Sequence, residues 1–247
     1  MSEPRTEAPS LPRAMLISQR IVENAKSVSL VLDGALAAQP GQFGMVWLPG
    51  VDEKPFSIAG ARPLMFTISR VGPFSEALHA LTVGDTVWVR GPFGTGWSEG
   101  SGRILLVGGG YGAAPLHFLA QALLSTGARV EVALGARGSA ELLFVERFRK
   151  LGVAVHVATE DGSAGTRGRV TDVVQPLIAT GGWDRLCACG PDAMLAALDG
   201  LCRASRLPAE LSYEAYMRCG IGICGSCEHQ QRLVCRDGPV VSLPAER

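Results

Sequence analysis

Four cysteines crowd the end of the chain, at Cys219, Cys224, Cys227 and Cys235. The first three are spaced C-x4-C-x2-C, and the fourth follows after seven intervening residues. Thiolates are soft ligands that suit iron and zinc. The C-x4-C-x2-C run is the plant-type spacing for a [2Fe–2S] cluster, in which each iron takes two thiolates. Gly220, Gly222 and Gly225 let such a loop wrap tightly and leave backbone N–H groups free to reach sulfur. A structural zinc site ordinarily repeats the C-x2-C pair, and this segment has one such pair. Iron–sulfur is therefore favoured over zinc, and zinc over a disulfide framework.

Two glycine turns lie upstream. The apolar run 103–107 leads into Gly108, Gly109, Gly110, Tyr111, Gly112, Ala113, Ala114 and Pro115, and then into an apolar helix. A strand, a glycine turn and a helix N-terminus form an anion site, because the backbone approaches a pyrophosphate closely and the helix dipole favours its charge. The alternative is a tight turn with no ligand, since the run is not the G-x-G-x-x-G fingerprint. The second turn is Cys189, Gly190, Pro191 and Asp192, after the last strand of that region. Its cysteine could abut a nicotinamide ring, or the turn could be a plain helix start. Cys187 and Cys202 read as core thiols.

A third set lies near the front. Lys54, Pro55, Phe56 and Ser57 place a cation, an aromatic ring and a hydroxyl on one extended segment. Ile68, Ser69 and Arg70 end a strand, and Phe74 and Ser75 enter a helix start suited to phosphate. Taken alone, these are ordinary strand and turn residues.

The elements needed to hold these residues fall into distinct textures. Short β-type runs at 14–22, 27–32, 42–48, 65–71 and 86–90, with turn signals at Pro40-Gly41 and Gly84-Asp85, imply an antiparallel barrel over 14–100. One helix is expected at 75–81. Residues 101–208 alternate strand and helix four times, the pattern of an open parallel α/β sheet. The expected helices there are 115–125, 142–151, 170–178 and 192–204. Residues 209–247 form a cysteine-rich tail too small to fold without a staple. Residues 1–13, with three prolines, read as a disordered tail.

Composition supports this division. Of 247 residues, 47% are hydrophobic and 19% charged, enough for cores and too few charges for global disorder. Lys and Arg number 23, as do Asp and Glu, which argues against nucleic acid or a polybasic membrane anchor. No run reaches the roughly 20 apolar residues of a membrane span, and no export signal opens the chain, so the expected compartment is the cytoplasm.

Taken in order, the motifs resemble the ferredoxin-reductase superfamily, and within it the electron-transfer subunits of class 1B dihydroorotate dehydrogenases. The resemblance covers nearly all of the chain from about residue 14. It rests on KPFSIA at 54–59, ISRVGPFSEAL at 68–78, LLVGGGYGAAPL at 105–116, CGPDAML at 189–195 and YMRCGIGICGSC at 216–227.

The resemblance implies an FAD-binding barrel, an NAD(H)-binding α/β domain and a C-terminal [2Fe–2S] loop held by the four cysteines. Lys54, Pro55, Phe56, Ser57, Ile68, Ser69, Arg70, Phe74 and Ser75 would face FAD. Gly108, Gly109, Gly110, Gly112, Pro115, Cys189, Gly190 and Pro191 would hold the pyridine nucleotide. No protein general base is implied. Lys54 stands where the family usually has Arg, keeping the charge and losing the bidentate fork. Thr159, Glu160 and Asp161 lean the nucleotide toward NAD(H), since acids repel a 2′-phosphate. The implied partner is an FMN-containing dihydroorotate dehydrogenase catalytic subunit in a heterotetramer. Electrons would pass from that FMN through the cluster and FAD to NAD+. The same module serves other complexes, of the ferredoxin:NADP oxidoreductase, sulfide dehydrogenase and hydrogenase types.

Overall fold

The computed structural model describes residues 11–229 and 231–243. Most of the expected N-terminal tail lies outside the described residues, and Arg13 already belongs to the first strand.

Six strands close the barrel. They are β1 (Arg13–Val22), β2 (Ser27–Leu32), β3 (Phe43–Leu48), β4 (Asp52–Ala61), β5 (Leu64–Ser69) and, after helix α1 (Pro73–Ala80), β6 (Thr86–Phe93). They are hydrogen-bonded in the order β1-β2-β5-β4-β3-β6, all antiparallel, and β6 returns to β1. The period of two decides the filling. Val28, Leu30 and Leu32 of β2 point inward with Phe66 and Ile68 of β5. Phe66 is 1% exposed, and truncating such a ring costs about 3–5 kcal/mol. The opposite face of the same two strands carries hydroxyls. Ser27 Oγ lies 2.8 Å from Ser69 Oγ, and Ser29 Oγ 2.9 Å from Thr67 Oγ1. Both pairs stand directly opposite each other in the register. Helix α1 opens on Pro73, whose fixed φ suits a first helical position, and buries Phe74 and Leu78 against the barrel.

A seven-stranded sheet follows. Its elements are β7 (Arg103–Gly109), α2 (Ala113–Ser125), β8 (Arg129–Ala136), α3 (Val145–Lys150), β9 (Ala154–Thr159), β10 (Thr166–Arg167), α4 (Val170–Ala179), β11 (Arg185–Cys189), α5 (Asp192–Ser205) and β12 (Ala209–Ser212). The order is β10-β9-β8-β7-β11-β12-β15, with β15 (Val240–Leu243) antiparallel on the edge and the rest parallel. Helices α2 and α3 pack with one face of the sheet, and α4 and α5 with the other. The chain therefore reverses direction between neighbours β7 and β11, the switch point where open α/β sheets bind ligands.

Three details differ from the sequence reading. Residues 52–61 form a full barrel strand, where the sequence marks only a short extended segment. The helix expected over 142–151 shrinks to α3, because Phe144 sits at φ 63 and breaks the turn before it. The tail does not stand alone. Its ends, β12 and β15, join the α/β sheet, so the sheet continues past residue 208. Between them run β13 (Glu228–His229), β14 (Arg232–Leu233) and the short helix α6 (Val234–Asp237). This loop packs Met217, Cys227, Val234 and Cys235 on Phe43 and Met45 of β3.

Polar contacts join the layers. Trp97 Nε1 donates to the Glu210 carbonyl at 3.3 Å, and the Ser98 hydroxyl donates to the Glu210 carboxylate. On the far side Lys26 meets Glu141, and Arg147 meets Glu23, each pair at 2.5 Å.

Candidate functional site

Barrel, α/β sheet and tail meet around one cleft of about 670 Å³. On the barrel side, Lys54, Pro55, Phe56 and Ser57 of β4 line it together with Thr67 and Ser69 of β5. Four successive residues of β4 reach the cleft, and a register shift follows between Ile58 and Gly60. Lys54 Nζ pairs with Asp52 Oδ2 at 2.7 Å and lies 5.3 Å from the Tyr216 ring centre. The Lys54 ammonium and neighbouring N–H groups hold the Asp52 carboxyl below its usual range. Phe56 and Phe74 set their rings 6.2 Å apart at 31°.

Seven of the nine barrel residues named from sequence line this cleft, and Ile68 and Arg70 do not. Ile68 is 1% exposed inside the barrel, and its carbonyl meets His79 Nε2 at 2.8 Å. Arg70 is exposed at the end of β5. Ser75 reaches the cleft wall, but its hydroxyl is committed to the turn. It accepts the N–H groups of Val71 and Gly72 at 2.9 and 3.0 Å and donates to the Gly72 carbonyl at 2.8 Å. Thr67 belongs to the same wall and carries no sequence signal, since only strand register puts it beside Ser69.

On the sheet side, Tyr111, Gly112, Ala114, Pro115 and Cys189 line the cleft. The two glycine turns are one seat. A Cβ on Gly112 would overlap the Cys189 carbonyl, and one on Gly109 would lie 2.8 Å from Pro191 Cδ. Gly190 in turn abuts the Gly109 backbone. Gly110 takes φ 54, a conformation that favours glycine, with open space beyond it. A backbone ridge of this kind at a switch point, with Tyr111 its one large side chain, fits a pyrophosphate.

Cys189 is 4% exposed, and burial pushes its thiol up to about 12, with the nearby Glu214 charge acting the same way. It is a neutral, compact wall. Tyr111 Oη donates to Glu214 Oε2 at 2.8 Å, joining the glycine loop to the tail across the cleft. Burial raises Glu214 above the ordinary carboxylate range, against the Tyr111 hydrogen bond that lowers it.

The strand ends beyond the seat carry Arg137, exposed, and the 159–164 loop. Thr159 Oγ1 donates to the Ala164 carbonyl at 2.7 Å and is wholly buried, so it ties the loop and offers nothing to a ligand. Asp161 accepts the Ser163 hydroxyl at 2.6 Å, and Ser163 holds that carboxyl below its usual range.

The cysteine loop stands beside the cleft. Gly220, Gly222 and Gly225 take φ of 73°, 81° and 72°, all left-handed. Ile221 N–H points at Cys219 Sγ at 3.4 Å, and Gly222 N–H donates to Cys235 Sγ at 3.1 Å. Cys227 and Cys235 bring their sulfurs to 3.2 Å, and Cys224 and Cys219 also share a side-chain hydrogen bond. The four thiols thus fall into two pairs. Two pairs with N–H donors aimed at sulfur fit a two-iron cluster better than one tetrahedral zinc. Ser226 holds the exposed Cys224 thiol down at about 6, while burial pushes Cys235 up to about 12.

Comparison with known proteins agrees with this geometry. Residues 214–244 match the iron-sulfur cluster binding domain of dihydroorotate dehydrogenase B. A Methanocaldococcus jannaschii protein named "Probable dihydroorotate dehydrogenase B (NAD(+)), electron transfer subunit" is 38% identical over 90% of this chain and 86% of its own length. A Pyrococcus horikoshii protein of the same name is 43% identical over 88% of this chain and 85% of its own. Among solved structures, a chain of an NADH-dependent reduced ferredoxin-NADP oxidoreductase superposes with TM-score 0.85. It is 28% identical and covers 92% of this chain and 87% of that one. The FAD/NAD binding domain of a Vibrio cholerae nitric oxide dioxygenase shares the fold, with TM-score 0.68, 23% identity, and coverage of 81% and 98%. At 38–43% identity over about nine-tenths of its length, the chain belongs to the family of dihydroorotate dehydrogenase B (NAD+) electron transfer subunits.

Proposed function

We propose that this chain is the electron-transfer subunit of an NAD-dependent dihydroorotate dehydrogenase, active in pyrimidine biosynthesis. Its partner is an FMN-containing catalytic subunit, in a heterotetramer. The observation that carries the reading is the single cleft into which the Lys54–Ser57 wall, the Gly112–Cys189 seat and the cysteine loop's flank all open. When bound, FAD and a [2Fe–2S] cluster supply the exchange between single-electron and hydride transfer, which side chains alone do not perform.

The chain's own residues do four things. Lys54 offers a cation, and Ser57, Thr67 and Ser69 offer hydroxyls, along the wall where a flavin would lie. The 108–112 backbone and the Cys189–Pro191 turn receive the nucleotide. Cys189, small and uncharged, lets a nicotinamide ring come close. Cys219, Cys224, Cys227 and Cys235 supply four thiolates in two pairs. Gly110 supports this assignment by its open backbone, Gly108 and Gly190 by packing closely on Leu134 and on Gly109, and Ile68 and Arg70 act through β5 and the turn that follows it. Units of 14–100 for FAD, 101–208 for the nucleotide and 209–247 for the cluster describe the division of labour, with β12 and β15 shared between the last two.

A cytoplasmic location fits the clustered free thiols. Among the described residues, no helix is long and apolar enough to cross a membrane. The superposition on the ferredoxin-NADP oxidoreductase chain favours a second reading, in which the same module serves a partner of that type. Co-purification with the catalytic subunit and assay of NAD+-dependent orotate formation separates the two. Orotate and NADH formed in equal amounts support the first reading. A complex that turns over only with ferredoxin supports the second.

A further inference from the structure

Arg90 and Glu53 form a polar strut between the barrel and the cysteine loop, and we propose that it positions Cys219 and biases the reduction potential of the cluster held there. The proposal rests on the reading of that loop as a [2Fe–2S] site.

Arg90 Nε and Nη2 donate to Glu53 Oε1 and Oε2 at 2.7 and 2.9 Å, a bidentate fork. Arg90 Nη2 also donates to the Cys219 carbonyl at 2.9 Å. The Arg90 side chain is 14% exposed and that of Glu53 24%, so solvent screens the pair less than an open surface pair. The guanidinium lies 5.4 Å from the Phe93 ring centre. The two residues flank β3, one on β4 and one on β6. Between them, Met45 stands opposite Arg90 in the register, and Trp47 opposite Glu53. Gly220 closes on the same wall, where a Cβ would lie 3.0 Å from Met45 Cγ. A hydrogen bond and a steric contact thus fix consecutive residues, Cys219 and Gly220, to the barrel. Glu53 immediately precedes Lys54, so one strand carries both the cleft wall and the anchor of the cysteine loop.

The electrostatics follow from charge. Reducing a cluster by one electron adds one negative charge, which a nearby cation favours and a nearby anion opposes. In the intact pair the two charges offset each other. Arg90→Met leaves Glu53 uncompensated and lowers the potential. Glu53→Gln leaves Arg90 uncompensated and raises it. Arg90→Lys keeps the charge and loses the fork, so its potential stays near the parent's while its iron is lost faster.

Dye-mediated redox titration of the purified full chain, followed by EPR, tests this, with iron content measured alongside. Opposite shifts in Arg90→Met and Glu53→Gln are the expected result. Loss of the cluster from Arg90→Met together with a raised potential in Glu53→Gln also supports the strut. An unchanged or lowered potential in Glu53→Gln overturns the proposal, as does a shift of both variants in one direction. A parent protein with no [2Fe–2S] signal overturns the underlying reading instead, so the two failures are distinguishable.

Discussion

Gly112 rests on the carbonyl of Cys189, with no room for a Cβ between them. Through this contact the turns that follow the neighbouring strands β7 and β11 present one surface. Gly112→Ala must push the two turns apart, an overpacking cost of about 1–3 kcal/mol. The Michaelis constant for NADH is expected to rise roughly tenfold, since 1.4 kcal/mol is a factor of ten, with FAD content unchanged. Gly110→Ala has open space and only its φ of 54 to resist it, so its effect is smaller. Steady-state NADH oxidation with an artificial acceptor measures both. Equal effects would refute the shared seat.

Cys224 is the exposed member of the four thiols. In the proposed ligand set, Cys224→Ser would remove one of two thiolates on one iron while leaving the buried Cys227 and Cys235 and the barrel wall intact. Iron content is expected to collapse while FAD per chain stays within the parent's range. Metal analysis beside the visible spectrum reads both quantities, and a variant retaining full iron would remove Cys224 from the ligand set.

Lys54 is bound to Asp52 and covers Tyr216, so its ammonium is already placed on the cleft wall. A hydrogen bond to a charged group contributes about 1.5–3 kcal/mol, so Lys54→Met is expected to weaken FAD binding by about tenfold or more. Lys54→Arg restores or strengthens it, because the guanidinium adds a fork. Flavin fluorescence on refilling the apoprotein gives both constants. Parent-like affinity in Lys54→Met would remove the residue from the flavin site.

His117 on α2 is buried edge-on between Phe144 and Phe148, at 5.5 and 5.2 Å. Burial first, then the Arg147 charge, depress it to about 4 from 6.5. A depressed histidine contributes stability above its unfolded value that is lost as pH falls through the folded one. Between pH 6.5 and 4 the parent is expected to lose about 3 kcal/mol more stability than His117→Leu. Urea unfolding across that window, followed by circular dichroism, checks the difference. Parallel curves for the two proteins would show that the ring charges freely in the folded state.

The legible parts of the molecule are those set by local sequence. The cysteine loop can be read because its first three cysteines fall within nine residues. The glycine turns can be read because strand, turn and helix are contiguous. What depends on distant pairing cannot. Thr67 joins the cleft wall, and meets Ser29 across the strands, only through cross-strand register. The Arg90–Glu53 contact crosses an intervening strand. β15 completes the α/β sheet from the far end of the tail, which no periodicity announces. Phe144 at φ 63 breaks a helix whose apolar pattern runs on without interruption, an unusual conformation for an aromatic residue.

The most direct test of the central claim is anaerobic titration of the purified chain with NADH, watched at once in the visible spectrum and by EPR. One FAD and two irons per chain, bleaching of the flavin, and appearance of a reduced [2Fe–2S] signal are expected. A chain that carries zinc in place of iron, or a flavin that NADH leaves oxidised, would contradict it.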